Sequence, residues 1–164
     1  MRNGAASGRL ARAGLVLCGT GFIALGGLWL HDRTRVWEVP RWDEARFVAI
    51  GLRDSAWRAP SELWVVVVNP DCGHCGESLR NAGNVRERMT VRPRLAALVV
   101  DRSQRPPAVL FRAQALDAVW WDEREVWRTR WGHRVYGEVL RFDAAGRYAG
   151  SLSPEAVASA VPDR

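Results

Sequence analysis

The sequence predicts an α/β fold in which a central mixed sheet is flanked by helices, placed after one N-terminal transmembrane helix. Three observations carry that expectation: an 18-residue uncharged run from Ala13 to Leu30, a strand–helix–strand pattern between Leu63 and Val100, and a hairpin followed by a helix start near the C-terminal end. The 164 residues suffice for one domain and not for a multidomain enzyme. With 48% apolar and 26% charged residues the chain has enough aliphatic side chain for a core, which excludes overall disorder. It needs no disulfide framework to fold. All 24 basic residues are arginine, and against 18 acids they give a formal net charge of +6. Half of that excess comes from Arg2, Arg9 and Arg12. Elsewhere Arg alternates with acid, as in Trp121-Asp122-Glu123-Arg124-Glu125, so there is no basic stripe for a nucleic acid.

The run from Ala13 to Leu30 has charges only at its borders, Arg12 on one side and His31-Asp32-Arg33 on the other. As a helix it spans ~27 Å, enough to cross the hydrocarbon core of a bilayer. Three Arg and no acid precede it, so the positive-inside rule keeps residues 1–12 in the cytoplasm and exports everything after residue 30. A cleaved signal sequence with a small-x-small site at Ala24-Leu25-Gly26 is the alternative, and it gives a secreted domain. The apolar run continues past that site through Gly27-Leu28-Trp29-Leu30, which favours the anchor. Lipidation at Cys18 lacks the small residue expected just upstream. The sequence thus divides into a basic N-terminus (1–12), a transmembrane anchor (13–30), a membrane-proximal segment (31–60) and a folded domain (61–164). In the membrane-proximal segment, a short helix from Asp43 and a strand around Arg46 to Leu52 both fit the pattern.

Leu63 to Val68 is a continuous β-branched run between Pro60 and Asn69-Pro70, the mark of a central strand buried on both faces. A helix from Gly76 to Met89 follows, with Cys75, Leu79 and Val85 to Met89 on one side, and Leu95 to Val100 form a second aliphatic strand. Strand, helix and strand at this spacing make a βαβ unit with parallel strands and a right-handed crossover. Between Ala113 and Trp131, the residues Leu116, Val119, Trp120, Val126, Trp127 and Trp131 recur at three-and-four spacing, which predicts a second helix stopped by Gly132. Val135 to Phe142 and Arg147 to Ser151 read as a hairpin around Asp143-Ala144-Ala145-Gly146. Ser153-Pro154-Glu155 is an N-cap and first turn of a short final helix ending near Ala160.

Chemistry is concentrated in Asp71-Cys72-Gly73-His74-Cys75, between the buried strand and its helix. Cys72 then lies at a helix N-terminus, where unpaired N–H groups and the dipole favour a thiolate. Three-residue spacing puts Cys75 within bridging reach. The pair suits reversible exchange: Cys72 attacks a partner's disulfide, and Cys75 resolves the mixed disulfide. His74 is placed to stabilise the Cys72 thiolate, and Asp71 to oppose it.

This βαβ unit with Cys-x-x-Cys opening its helix, followed by a helix, a hairpin and a final helix, resembles the thioredoxin fold over about Ser61 to Val161. Cys72-Gly73-His74-Cys75 is the tetrad of protein disulfide isomerase domains. One membrane span plus one such domain is similar to membrane-anchored bacterial thiol-disulfide oxidoreductases. The resemblance implies an inner-membrane protein facing the periplasm, an exposed nucleophile at Cys72, a buried resolving thiol at Cys75, no cofactor beyond the redox-active disulfide, and protein thiols or disulfides as partners. It also implies a membrane electron-transfer partner if the protein works as a reductant. Two departures stand out. The family's buried acid, six positions before the first Cys, is Val66 here. The cis-Pro before the hairpin strand is replaced at Tyr136-Gly137-Glu138, so Tyr136 and Gly137 would form the substrate-binding loop.

A closed zinc site needs about four ligands, and the exported part offers only Cys72, Cys75, His31, His74 and His133. The second function class is a soft-metal carrier in which Cys72 and Cys75, with His133 as third ligand, hold copper. His133 is otherwise an ordinary loop histidine or an extra proton relay. A Cys/His hydrolase leaves the second Cys unexplained, and a redox-inactive docking subunit leaves the intact pair unexplained.

Overall fold

The structure, a computed structural model, describes residues 37–52, 61–107, 111 and 115–159. The chain divides into two compact units between Trp37 and Glu38, and the fold described is that of the second. The basic stretch 1–12 and the anchor 13–30 lie outside the described residues. Among the described residues no helix is long and apolar enough to cross a membrane.

A six-stranded mixed sheet organises the unit. Its strands are β1 (Val48–Leu52), β2 (Leu63–Val68), β3 (Arg94–Val99), β4 (Ala118–Trp121), β5 (Val139–Phe142) and β6 (Tyr148–Leu152), in the spatial order β1-β4-β3-β2-β5-β6. β2, β3 and β4 are parallel neighbours, and β1, β5 and β6 pair antiparallel on the two sides. Three helices accompany the sheet: α1 (Cys75–Glu87), α2 (Val126–Thr129) and α3 (Pro154–Ser159). The βαβ unit expected from the sequence is β2-α1-β3, with Leu63 opposite Arg94 and Val68 opposite Val99.

All six side chains of β2 are buried, because successive residues point to opposite faces and both faces are covered. On one face Trp64, Val66 and Val68 join Leu95, Ala97 and Val99 under α1 and α3, through Leu79, Ala82 and Val157. On the other face Leu63, Val65 and Val67 join Ala96, Leu98, Trp120, Leu140 and Phe142 against Phe47, Trp127 and Trp131. The final helix begins where its chemistry places it, with Ser153 Oγ accepting the Ala156 N–H at 3.2 Å and Pro154 in the first turn.

Two expectations are corrected. Residues 113–131 do not form one helix: Ala118–Trp121 is a strand between β1 and β3, and helix is confined to Val126–Thr129. The residues obey a period of two as well as one of 3.6, with Val119 and Trp121 in the first cluster and Ala118 and Trp120 in the second. Hydrogen bonding to strands on both sides decides between the periods. Asp122 then ends the strand and starts the helix. Its carboxylate, 1% exposed, accepts the N–H groups of Val126 at 2.9 Å and Trp127 at 2.8 Å. Burial pushes the Asp122 carboxyl up, and those two N–H groups pull it back.

The folded unit also starts upstream of Ser61. Asp43 caps a 3-10 turn, Glu44–Arg46, and β1 follows, so both alternatives for this stretch occur in succession. Trp42 stacks on Phe47 at 4.9 Å and meets Trp120 edge-on at 4.7 Å, while its N–H donates to the Gly146 carbonyl at 2.8 Å. Much of the 31–60 segment is therefore part of the sheet and its core. The hairpin is shorter than expected, since residues 135–138 are the loop that leads into β5.

Trp127 is fully buried beneath the second face. Replacing it with Ala is expected to cost about 3–5 kcal/mol in urea unfolding, whereas Val91→Ser, at a position 77% exposed, should stay within about 0.5 kcal/mol.

Candidate active site

β2 cannot continue past Val68, because Pro70 has no N–H to offer a ladder. The buried Asn69 turns the chain instead. Its carbonyl accepts the Cys72 N–H at 2.9 Å, and its side-chain Oδ1 accepts the Asp71 N–H at 2.9 Å. A second turn brings the Cys75 N–H to the Cys72 carbonyl at 3.3 Å, and α1 begins at Cys75. Cys72 thus sits just before the positive end of a 13-residue helix. Both cysteines are free thiols, Cys72 half-buried and Cys75 only 4% exposed.

Burial pushes the Cys75 thiol up to about 12 from its ordinary 9.0, and its hydrogen bond with the Cys72 sulfur adds to the shift. The backbones of Asn69 and Gly137 act in the opposite direction. Cys75 therefore keeps its proton, while the Cys72 sulfur beside it is the more accessible of the two. Val66, at the position of the family's buried acid, lies in the same apolar cluster as Cys75. Asp71, expected to oppose a thiolate, is exposed and paired with Arg102 at 2.5 Å.

Cys72 opens onto a groove of about 600 Å³ between α1, the loop 134–136 and α3. His74 and Ser78 line it from α1, Val135 and Tyr136 from the loop, and Pro154 from α3. His74 occupies the N-cap position without a side-chain capping bond; it is exposed and, like Cys72, lines the groove. Tyr136 is half-buried. Gly137 has φ +81° and donates to the Val67 carbonyl at 2.7 Å. A Cβ on Gly137 would lie 2.5 Å from Ser78 Oγ and 3.2 Å from Pro154 Cγ, so the backbone approaches α1 and α3 as closely as only glycine permits. No peptide bond among the described residues is cis.

His133 does not join the cysteines. Its Nδ1 lies 3.0 Å from Glu138 Oε1, and its ring meets Tyr148 at 5.8 Å. Val139 belongs to the cysteine face of the sheet, so alternation directs Glu138 to the other face, and His133 follows it. The triad Cys72, Cys75 and His133 proposed from sequence as a copper site is not assembled. Among the described residues no group of three or more His, Cys, Asp and Glu is placed to hold a metal ion.

No protein-family model matches the sequence, and no curated protein matches it. Solved structures do. The protein of Chlorobium tepidum assigned as thiol:disulfide interchange protein DsbE is 13% identical, with a TM-score of 0.52 over 75% of this chain and 96% of that one. The fold is thioredoxin-like. Also similar are the conserved protein BF1870 of unknown function from Bacteroides fragilis (14% identity, TM-score 0.49, 73% of this chain and 92% of that one) and an uncharacterized thioredoxin-like protein from Porphyromonas gingivalis (13%, 0.48, 65% and 76%).

The sequence reading missed three residues that build this thioredoxin-like site. Asn69 shapes the cysteine turn. Asp101, with φ 54°, sits just beyond β3 and receives the Tyr136 hydroxyl at 2.7 Å. Arg128 reaches Asp101 from α2, with Nε 3.0 Å from Oδ1 and Nη2 on Oδ2. The Arg128 guanidinium holds the Asp101 carboxyl below the usual carboxylate range, and the Tyr136 hydroxyl adds to this. The same bond to Asp101 pushes the Tyr136 phenol up. Asn69 and Asp101 carry one sequence signal: both follow the C-terminal ends of parallel strands, where open α/β sheets place their sites.

Two outcomes are expected. The Cys75 thiol is raised in the folded state, so its contribution is intact below about pH 9 and is lost as pH rises towards 12, where the unfolded chain has released a proton that the folded one retains. Denaturation of the reduced protein across pH 8 to 12 should show that fall, and Cys75→Ala should show a shallower one, the remainder belonging to the raised Tyr136 phenol. Gly137→Ala should lower stability by more than about 1 kcal/mol, because the alanine must both hold a positive φ and displace Ser78.

Proposed function

We propose that this protein is an extracytoplasmic thiol-disulfide oxidoreductase, held at the bacterial inner membrane by residues 13–30, that exchanges disulfides with protein partners through Cys72 and Cys75. The observation that carries the proposal is the asymmetry of the pair: one accessible sulfur at the head of a groove, and one buried thiol that keeps its proton and is hydrogen-bonded to the first. The thioredoxin-like fold supports it, as does the likeness to the Chlorobium tepidum protein assigned as a thiol:disulfide interchange protein.

In the reductive direction the Cys72 thiolate attacks one sulfur of the partner's disulfide, forming a mixed disulfide and expelling the other sulfur as a thiolate that takes up a proton. Cys75 then gives up its proton and attacks the Cys72 sulfur. The Cys72–Cys75 disulfide forms, and the second partner sulfur leaves as thiol. Two electrons pass from the chain's dithiol to the partner, and the reverse sequence donates a disulfide. His74, which lines the same groove, would stabilise the attacking and leaving thiolate. With Val66 in place of the acid that thioredoxins carry, no carboxylate at that position takes the Cys75 proton, so resolution is slower than with that acid or is served by another group.

Cys75→Ser in the full-length chain should accumulate a covalent, dithiothreitol-sensitive complex with partner proteins through Cys72, and Cys72→Ser should trap nothing. Absence of any trapped species from the first variant would reject the proposal. Equilibrating the wild-type pair against glutathione and dithiothreitol buffers sets the direction: about −120 to −180 mV marks a disulfide donor, and about −270 mV or below a reductant fed from the membrane.

A further inference from the structure

The groove onto which Cys72 opens is also lined by a tyrosine fixed from three sides. The Tyr136 ring stacks on Trp127 at 5.8 Å with an interplanar angle of 19°. Its hydroxyl donates to Asp101 Oδ2 at 2.7 Å. Its backbone is pinned one residue on, where Gly137 donates to Val67 and packs against Ser78. Asp101 is itself held by both guanidinium contacts of Arg128, which also lies over the Trp127 ring at 5.3 Å. Three elements distant in sequence thus converge on one phenol: the end of β3, α2 and the loop before β5.

Asp101 stands in the left-handed region, a conformation that a non-glycine residue adopts only when its surroundings impose it. The ion pair with Arg128 would be available from a relaxed backbone at many surface positions. What the strained position achieves is to bring the carboxylate under the Tyr136 hydroxyl, and so to fix the side chain beside the reactive sulfur. Neither Asp101 nor Arg128 lines the groove itself.

We propose that Asp101 is a positioning residue that acts through the Tyr136 hydroxyl to fix the groove wall against which a polypeptide substrate lies, so that the pair governs recognition of polypeptide disulfides and not the reactivity of Cys72. This rests on the exchange reading above. A bulky polypeptide must lie along the wall to reach Cys72, whereas a small disulfide reaches the sulfur without it.

The test uses the full-length chain, wild type and with Tyr136→Phe, Asp101→Asn and both together. Phe keeps the ring and its stacking, and Asn is tolerated at positive φ. The probes are a cysteine-containing decapeptide in mixed disulfide with an aromatic thiol, and the same aromatic thiol as its own small symmetrical disulfide. Each single variant should raise KM for the peptide probe about three- to tenfold, the range of one ordinary intramolecular hydrogen bond, because the contact orders the wall and does not itself touch the peptide. kcat, the rate with the small disulfide and the reduction potential of the Cys72/Cys75 pair should stay at wild-type values. The double variant should fall short of the sum of the two singles, since the contact between Tyr136 and Asp101 is disturbed in both. An unchanged peptide KM in Tyr136→Phe would overturn the proposal, as would a parallel change in the small-disulfide rate or the potential, which would place the tyrosine's action on the thiols. Failure of the wild-type chain to react with the small disulfide would instead reject the exchange reading, and the proposal with it.

Discussion

β2 is walled in. Its neighbours β3 and β5 occupy both hydrogen-bonding edges, and its six side chains are packed on both faces. Such a strand has no place for a charged or titratable group that lacks a partner. Polar chemistry is displaced to the point where the strand ends, and Asn69-Pro70 makes that end abrupt. Parallel pairing with β3 puts the end of the second strand, and with it Asp101, beside the first. The loop before β5 arrives at the same edge because β5 pairs antiparallel with β2. The active-site region is thus the set of segments that enter or leave one buried strand.

The same burial differentiates two chemically identical side chains. Cys72 falls in the turn and remains accessible, while Cys75 is the first helical residue and faces the core beside Val66 and Leu79. Three residues of sequence separate a sulfur exposed to partners from one in an apolar medium. One amino-acid type thus yields two unlike thiols, and little beyond local packing is required.

Parts of this organisation are legible in the sequence for local reasons. β2, β3 and α1 are visible because a β-branched run, a proline boundary and a helical periodicity each fall within a few residues of one another, and the Cys72/Cys75 motif marks the junction. The final helix is visible from Ser153 and Pro154. By contrast, β4 is hidden because Val119-Trp120-Trp121 satisfies helix and strand periods equally, and only pairing with β1 and β3 selects the strand. Residues 38–52 are hidden because their place depends on a contact between Trp42 and Trp120 across much of the chain. The separation of 35 residues between Asp101 and Tyr136 likewise leaves no local trace. His133 is the instructive miss: proximity to Gly137 along the chain suggested proximity to the cysteines, but His133 pairs with Glu138, the residue just before β5, which alternation with Val139 turns to the opposite face.

The Trp42 contact has a practical corollary. A fragment beginning at Ser61 would contain the cysteine motif and the whole βαβ unit, and yet would lack β1 and the cover it gives to β4. The exposed edge would then be a strand of Ala118, Val119, Trp120 and Trp121, a template for pairing with another copy that native sheets ordinarily blunt. β1 therefore acts as the guard of the sheet's open side, and it keeps a tryptophan-rich strand from meeting its own kind.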